Sequence, residues 1–483
     1  MAQYTTEMVD FGKGYQNAAG PSPSTQTVDH RMSKKTILKN VVVVSFGFLF
    51  LFTSFQSLSN LQSSLNKDDG LGTGGLAIVY GALVVSCMFF PAFIVGQLGC
   101  KWTVALSMIC YIVYMAANFY AVWGTMAVAS VIVGLGAAPL WSAKCTYLTQ
   151  TAVWYAKHTG ATEDDVINRF FGFFFMVFQT SQVWGNLISS TVFSQRPENE
   201  TIPTTEELAR CGAAFDPTAP SNNNTNLARP PIEKVYIVCG IYIACSCVAF
   251  FIIAGLLDQI KLDKDKDIAK EDRKLSVNLL VATFRHWWNS PYQKLLMPLT
   301  IYSGIEQAFI TGDYTKSFIS CTLGIWNVGY VMICYGVVDA ICSFTFGRLV
   351  QYVGHIPFFI LAFLVHGGTL ITLLLWQPDP DRVYLFYIFA ALWGMGDAVI
   401  QTQINALYGY LFTKNTEAAF ANYRLWESVG FILAFGYSAY LETRIKMYMA
   451  IGWLVLGMMM YCLVEIGDRM SKKSSHDIIK TKL

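Results

Sequence analysis

Charge is scarce in this chain. Asp, Glu, Lys and Arg make up 14% of the 483 residues, where a soluble domain carries about 25%. Hydrophobic residues reach 54% and the mean hydropathy is +0.42. The apolar excess runs the whole length, which excludes a soluble enzyme on a single anchor. A formal net charge of +2 leaves no basic footprint for nucleic acid. Cys-x-x-Cys and His-x-x-x-His pairs are missing, so no metal site is expected. Most of the 12 cysteines fall in apolar runs, unlike those of a disulfide scaffold. A nucleophile elbow and a phosphate loop are also missing, so the expectation is a non-enzyme without a cofactor. No cleavable signal peptide is visible.

What remains is a series of apolar segments. A bilayer core of roughly 30 Å takes about 20 apolar residues per helix. On that ruler spans are expected at 39–61, 74–97, 102–122, 124–149, 169–194, 234–257, 292–316, 325–349, 356–377, 383–411, 418–441 and 446–466. The fold class is therefore an all-α membrane protein with twelve transmembrane helices. Polar residues 1–38 read as a disordered tail, and 467–483 as a second tail. With the N-terminus inside, the cytoplasmic face collects 23 Lys and Arg and the opposite face nine. That bias places both termini in the cytoplasm.

Two loops stand out. Residues 195–233 form a long outer loop with two Asn-x-Thr acceptors, at Asn199 and Asn223, where glycosylation is expected. Residues 258–291 form a charged cytoplasmic linker in which the signs alternate, and Leu275 to Trp288 could lie as an interfacial helix. Cys211 and Cys321 are the cysteines expected in outer-face segments. Two thiols on an oxidising face tend to pair, so a Cys211–Cys321 disulfide is expected.

The linker divides the spans into bundles at 39–257 and 292–466, the six-plus-six layout of the major facilitator superfamily. A short glycine-bearing turn recurs at matching places, Gly96-Gln-Leu-Gly-Cys-Lys101 and Gly347-Arg-Leu-Val-Gln-Tyr-Val-Gly354. These resemble that superfamily's inner-loop motif without its Asp-Arg core. Four longer runs are more specific: Gly136-Ala-Ala-Pro-Leu-Trp-Ser-Ala-Lys-Cys-Thr-Tyr-Leu-Thr149, Trp184-Gly-Asn-Leu-Ile-Ser-Ser190, Gly312-Asp-Tyr-Thr-Lys-Ser-Phe318 and Ala419-Phe-Ala-Asn-Tyr-Arg-Leu-Trp-Glu-Ser-Val-Gly430. With Val41 to Phe48, they resemble the uncoordinated-93 family, its homologue A branch in particular, over Lys39 to Glu465. That resemblance implies two pseudo-symmetric six-helix bundles and a plasma-membrane protein tied to potassium-channel regulation. Another branch escorts Toll-like receptors. Family members often carry a second Cys soon after the one at Cys211; here none follows in that loop.

An ionisable side chain at a helix centre costs about 2.5–3.5 kcal/mol on insertion scales, so each one is informative. Glu306, Asp339, Asp397 and Glu427 fall near the middle of spans 7, 8, 10 and 11. Gln401 and Asn405 continue the Asp397 face, and Arg424 stands three residues before Glu427. Span 7 also carries Asp313, and span 4 carries Lys144, expected to snorkel or pair. His366 is expected to be a satisfied core histidine. In the fold that the chain resembles, spans 1, 4, 7 and 10 line the centre and 3, 6, 9 and 12 stay outside. Apart from His366 and the terminal Glu465, the ionisable groups avoid the outer set.

Two readings of the acidic cluster stay open. One is an intramembrane cation or proton site; the other is a set of packing clamps, such as Arg424 with Glu427 or Arg348 with Asp339. Residues alone favour a cation- or proton-coupled transporter of a small solute. The resemblance favours an accessory subunit of a potassium channel of the two-pore-domain type, and a trafficking escort is the third possibility. The end Thr481-Lys-Leu483 fits a PDZ ligand.

Overall fold

The computed structural model describes residues 32–161, 163–193, 204–219, 224–260, 285, 287–412 and 416–482. The acceptors Asn199 and Asn223, most of the linker, and Leu483 of the terminal triplet lie outside the described residues.

The described residues are nearly all helical. The first six long helices are α1 Lys34–Leu65, α2 Leu71–Phe89, α3 Pro91–Ala117, α4 Trp123–Thr159, α5 Glu163–Phe193 and α6 Ile232–Leu256. The second set is α7 Pro291–Ala308, α8 Val328–Val353, α9 Ile356–Leu375, α10 Val383–Leu411, α11 Thr416–Ser438 and α12 Thr443–Lys482. Among the described residues, nine helices are long and apolar enough to cross a membrane. The exceptions are α5, α7 and α11. Gln179, Gln182 and Asn186 on α5, Glu306 and Gln307 on α7, and Arg424 and Glu427 on α11 lower their hydropathy.

Local chemistry sets the helix ends. Ser33 caps α1 by accepting from Thr36 N, and Ser290 caps α7 by accepting from Gln293 N. The chain reverses at Gly99, φ 71°, inside the first glycine-bearing turn, and at Gly354, φ 81°, at the close of the second. Both are left-handed positions where a Cβ would be strained, so the recurring turn has the same backbone cause in both halves. Beyond Ala308, α7 continues as a π-helix, Phe309–Ser320. π-Geometry is rare and clusters at functional sites.

Helices α7 and α11 touch backbone to backbone. A Cβ on Gly304 would collide with Glu427 O, and one on Gly430 with Ile301 O. Small residues at such a crossing replace side-chain spacing with direct van der Waals contact between helices. This crossing sets Ser303 beside Glu427. At the tail end, where α1 begins and α12 finishes, Lys39 donates to Asp258 at 2.7 Å. That ammonium holds the Asp258 carboxyl below the usual range. The benefit is present at neutral pH and fades on acidification; with both groups nearly half exposed it is under about 1 kcal/mol.

The halves are fastened at the opposite, loop end. Ser63 bonds Thr315 at 3.2 Å and Ser64 bonds Ser320 at 2.8 Å. The Tyr80 ring on α2 stacks on Phe431 of α11, with centroids 4.0 Å apart. The loop after α5 then clasps the second half. A disulfide joins Cys211 to Cys321, with Cα atoms 5.6 Å apart. Asn224 Nδ2 donates to Cys321 O and Asn226 Nδ2 to Thr322 O, both at 2.8 Å. Thr443 N donates to Phe215 O, and Lys67 Nζ to Leu227 O.

The bridge closes a loop of 110 residues, so it restricts the unfolded chain strongly. Cys211→Ser and Cys321→Ser should each lower stability by about 2–4 kcal/mol, and the double variant should be no worse than either. Thermal unfolding in detergent checks this; additive losses, or free thiols at both positions in non-reducing peptide maps, would contradict it.

Candidate functional site

The candidate site is a polar seam centred on α7. Glu427 of α11 is the best-satisfied member. Its Oε1 accepts from Tyr423 OH at 2.9 Å, Ser303 Oγ at 3.1 Å and Gln307 Nε2 at 3.4 Å. Its Oε2 accepts from Arg424 at 2.7 Å. Gln401 of α10 joins by donating to Ser303 Oγ at 2.9 Å and accepting from Tyr423 OH. Three expected residues, Gln401, Arg424 and Glu427, are thereby brought together through Ser303. Four donors, one of them a guanidinium, thus converge on one carboxyl group in a low-dielectric interior.

Glu306 and Asp397 form a second group. Trp393 Nε1 donates to Glu306 Oε2 at 2.8 Å and Tyr335 OH to Asp397 Oδ2 at 2.5 Å. The two carboxyl groups are neighbours that interact directly. Their other oxygens, Glu306 Oε1 and Asp397 Oδ1, are buried and meet no donor. His366 closes the far side. Its Nε2 contacts Trp393 O at 3.2 Å and its Nδ1 contacts Tyr302 OH at 2.8 Å. A carbonyl can only accept, so Nε2 carries the hydrogen and Nδ1 accepts from tyrosine. Asp339 stands beside this group, accepting from Ser343 Oγ at 3.2 Å. The side chain of Arg348, its expected partner, is outside the described residues.

A third carboxylate, Asp313, sits in the π-segment. Lys446 Nζ of α12 donates to Asp313 Oδ1 at 2.6 Å, and Ser438 Oγ donates to the same oxygen at 2.7 Å. The pair is buried, at 2% and 4% side-chain exposure. The expected boundary put Lys446 at the edge of span 12, on the outer face; the structure makes it an interior counter-ion.

The first half has a different character. Asn60 donates to Asn186 at 3.1 Å, Asn186 to Gln182 at 3.0 Å, and Ser181 to Gln56 at 2.7 Å. Amides and hydroxyls thus tie α1 to α5 where carboxylates tie the second half. Among the described residues Lys144 neither snorkels nor pairs with a carboxylate. It is fully buried, its Nζ meets no hydrogen-bond acceptor there, and four rings surround it. Phe174 is at 4.3 Å, Trp141 and Phe175 at 4.9 Å, and Phe171 at 5.3 Å. The aromatic run Phe170 to Phe175 supplies three of these rings, and the ring faces attract the ammonium. That run was a visible signal for the cage.

Among the described residues, no group of three or more His, Cys, Asp or Glu side chains could hold a metal ion.

This architecture is shared with known proteins. The crystal structure of the nucleoside transporter NupG superposes with a TM-score of 0.59 over 89% of this chain and 99% of that one, at 13% identity. The likeness defines the class: a multi-pass membrane protein with the major facilitator fold. The family model described as "Ion channel regulatory protein UNC-93" matches residues 63–462. The Xenopus laevis protein unc-93 homolog A is 46% identical, over 91% of this chain and 95% of its own length. The Homo sapiens homolog A is 47% identical, over 89% and 93%. The Caenorhabditis elegans unc-93 protein, whose name assigns it provisionally to potassium channel regulation, is 36% identical over 92% of this chain and 63% of its own length. The chain belongs to the UNC-93 family, a family of channel regulators with a transporter-like fold rather than of enzymes.

Because Lys144 Nζ donates no hydrogen bond among the described residues, Lys144→Met should leave the melting temperature unchanged or raise it. Phe174→Ala should lower stability by about 3–5 kcal/mol through the cavity it leaves. Thermal unfolding in nanodiscs decides, and a large loss for Lys144→Met would show a charged partner or ligand at the cage.

Proposed function

We propose that this protein is an accessory subunit that regulates a potassium channel, of the two-pore-domain type, at the plasma membrane. The observation that carries this reading is the family match across residues 63–462, joined to the potassium-channel name of the Caenorhabditis elegans relative. The packing is in keeping with a protein that works through its surfaces. Arg424 is paired with Glu427 and Lys446 with Asp313, while large apolar side chains such as Phe251, Leu364 and Leu375 face outward. Both termini lie in the cytoplasm on this reading, so Thr481–Leu483 is available to a PDZ protein. The loop end is then extracellular, where the Cys211–Cys321 bridge is stable and Asn199 and Asn223 are glycosylated.

Transport of a solute is the second reading, favoured by the transporter-like fold and the unpartnered oxygens of Glu306 and Asp397.

Expression of the protein alone should give neither solute uptake nor current. Co-expression with a two-pore-domain potassium channel should change that channel's current several-fold at constant surface amount. Uptake by the purified protein in liposomes would overturn the accessory reading. A change in channel surface amount with unaltered gating would make it an escort.

A further inference from the structure

We propose that Glu306 of α7 and Asp397 of α10 form a binding site for one proton, shared between their carboxyl groups. The inference is independent of the channel reading.

Geometry carries it. Every donor near the pair is already committed. Trp393 Nε1 serves Glu306 Oε2 and Tyr335 OH serves Asp397 Oδ2. The His366 N–H serves Trp393 O, and Tyr302 OH serves His366. On α8, Asp339 adds a further carboxyl rather than a donor. On the flanking elements, Arg424 and Tyr423 of α11 are bound to Glu427, and Lys446 of α12 is bound to Asp313. Glu306 and Asp397 are both buried, and Oε1 of the one and Oδ1 of the other are left without a hydrogen-bond partner among the described residues.

Two ionised carboxylates in that contact repel with nothing between them. One added proton resolves both defects. The carboxyl that holds it donates an O–H to the other, and both orphaned oxygens gain a partner in one bond. Among the described residues no group of three or more His, Cys, Asp or Glu side chains could hold a metal ion, which favours the proton as occupant. Loss of the proton would leave two neighbouring negative charges on α7 and α10. The second half therefore carries a built-in response to pH, at the crossing that also holds Ser303 and Gln401.

The proton has a spectroscopic signature. A protonated carboxyl shows an infrared C=O stretch that shifts in heavy water, whereas a carboxylate shows none. The full chain in lipid nanodiscs should show this band at neutral pH. Glu306→Gln and Asp397→Asn each supply an amide N–H where the shared O–H stood, so each variant should fold and each should lose the band. Asp339→Asn should keep it. Unfolding would release the proton, so wild-type stability should fall as pH rises above the ordinary carboxyl range. The drop should be absent from whichever amide variant folds. A wild-type protein without the band, or a band of undiminished strength in Glu306→Gln or Asp397→Asn, would overturn the proposal. So would a band lost only in Asp339→Asn.

Discussion

A polar group inside a bilayer must find its partner within the protein, and in the second half that demand converges on α7. Its Ser303 and Gln307 donate toward Glu427 of α11. Its Glu306 accepts from Trp393 of α10. Its Asp313 accepts from Lys446 of α12. The Gly304–Gly430 contact makes the first of these possible, because it brings α11 close enough for Glu427 to meet four donors at once. Three carboxylates thus sit in three states of completion: Glu427 fully supplied, Asp313 ion-paired, and Glu306 left with a bare oxygen beside Asp397.

The two halves share a fold and a turn geometry, with Gly99 and Gly354 at equivalent bends, yet they are filled by different chemistry. Amide ladders such as Asn60–Asn186–Gln182 are neutral, fully local and indifferent to pH. Carboxylates are not. Among the described residues, the buried carboxyl groups are concentrated in α7 to α12. The clasp of Cys211 on Cys321 and of Phe215 on Thr443 couples the loop after α5 to the same α7 and α12 ends that hold the Asp313–Lys446 pair.

Much of this was legible from the sequence because membrane helices obey a simple length rule and charges within them are few. Runs such as Val41 to Phe48 and Leu373 to Leu375 leave little choice of structure, and Glu306, Asp397 and Glu427 stand out as interruptions. The partners were harder to see. Tyr335, Trp393 and Tyr423 count as apolar in a hydropathy profile, although each donates to a carboxylate. Trp393 lies one turn before Asp397, a spacing that could have marked the pair. Lys446 looked like the edge of a loop because span boundaries drift by a few residues, and a shift of one turn moves an ammonium from solvent to core. The π-segment Phe309–Ser320 has no sequence rule that would reveal it.

The central claim is that the helices of the second half are tied to α7 by buried polar contacts. The Asp313–Lys446 contact is its cleanest case, since Ser438 is the one further side chain on the same oxygen. A double-mutant cycle of Asp313→Asn and Lys446→Met, followed by thermal unfolding in nanodiscs, measures the match. Each single change should cost about 3–5 kcal/mol by stranding its partner, and the double variant should be more stable than either single one. Single losses that simply add in the double variant would contradict the account.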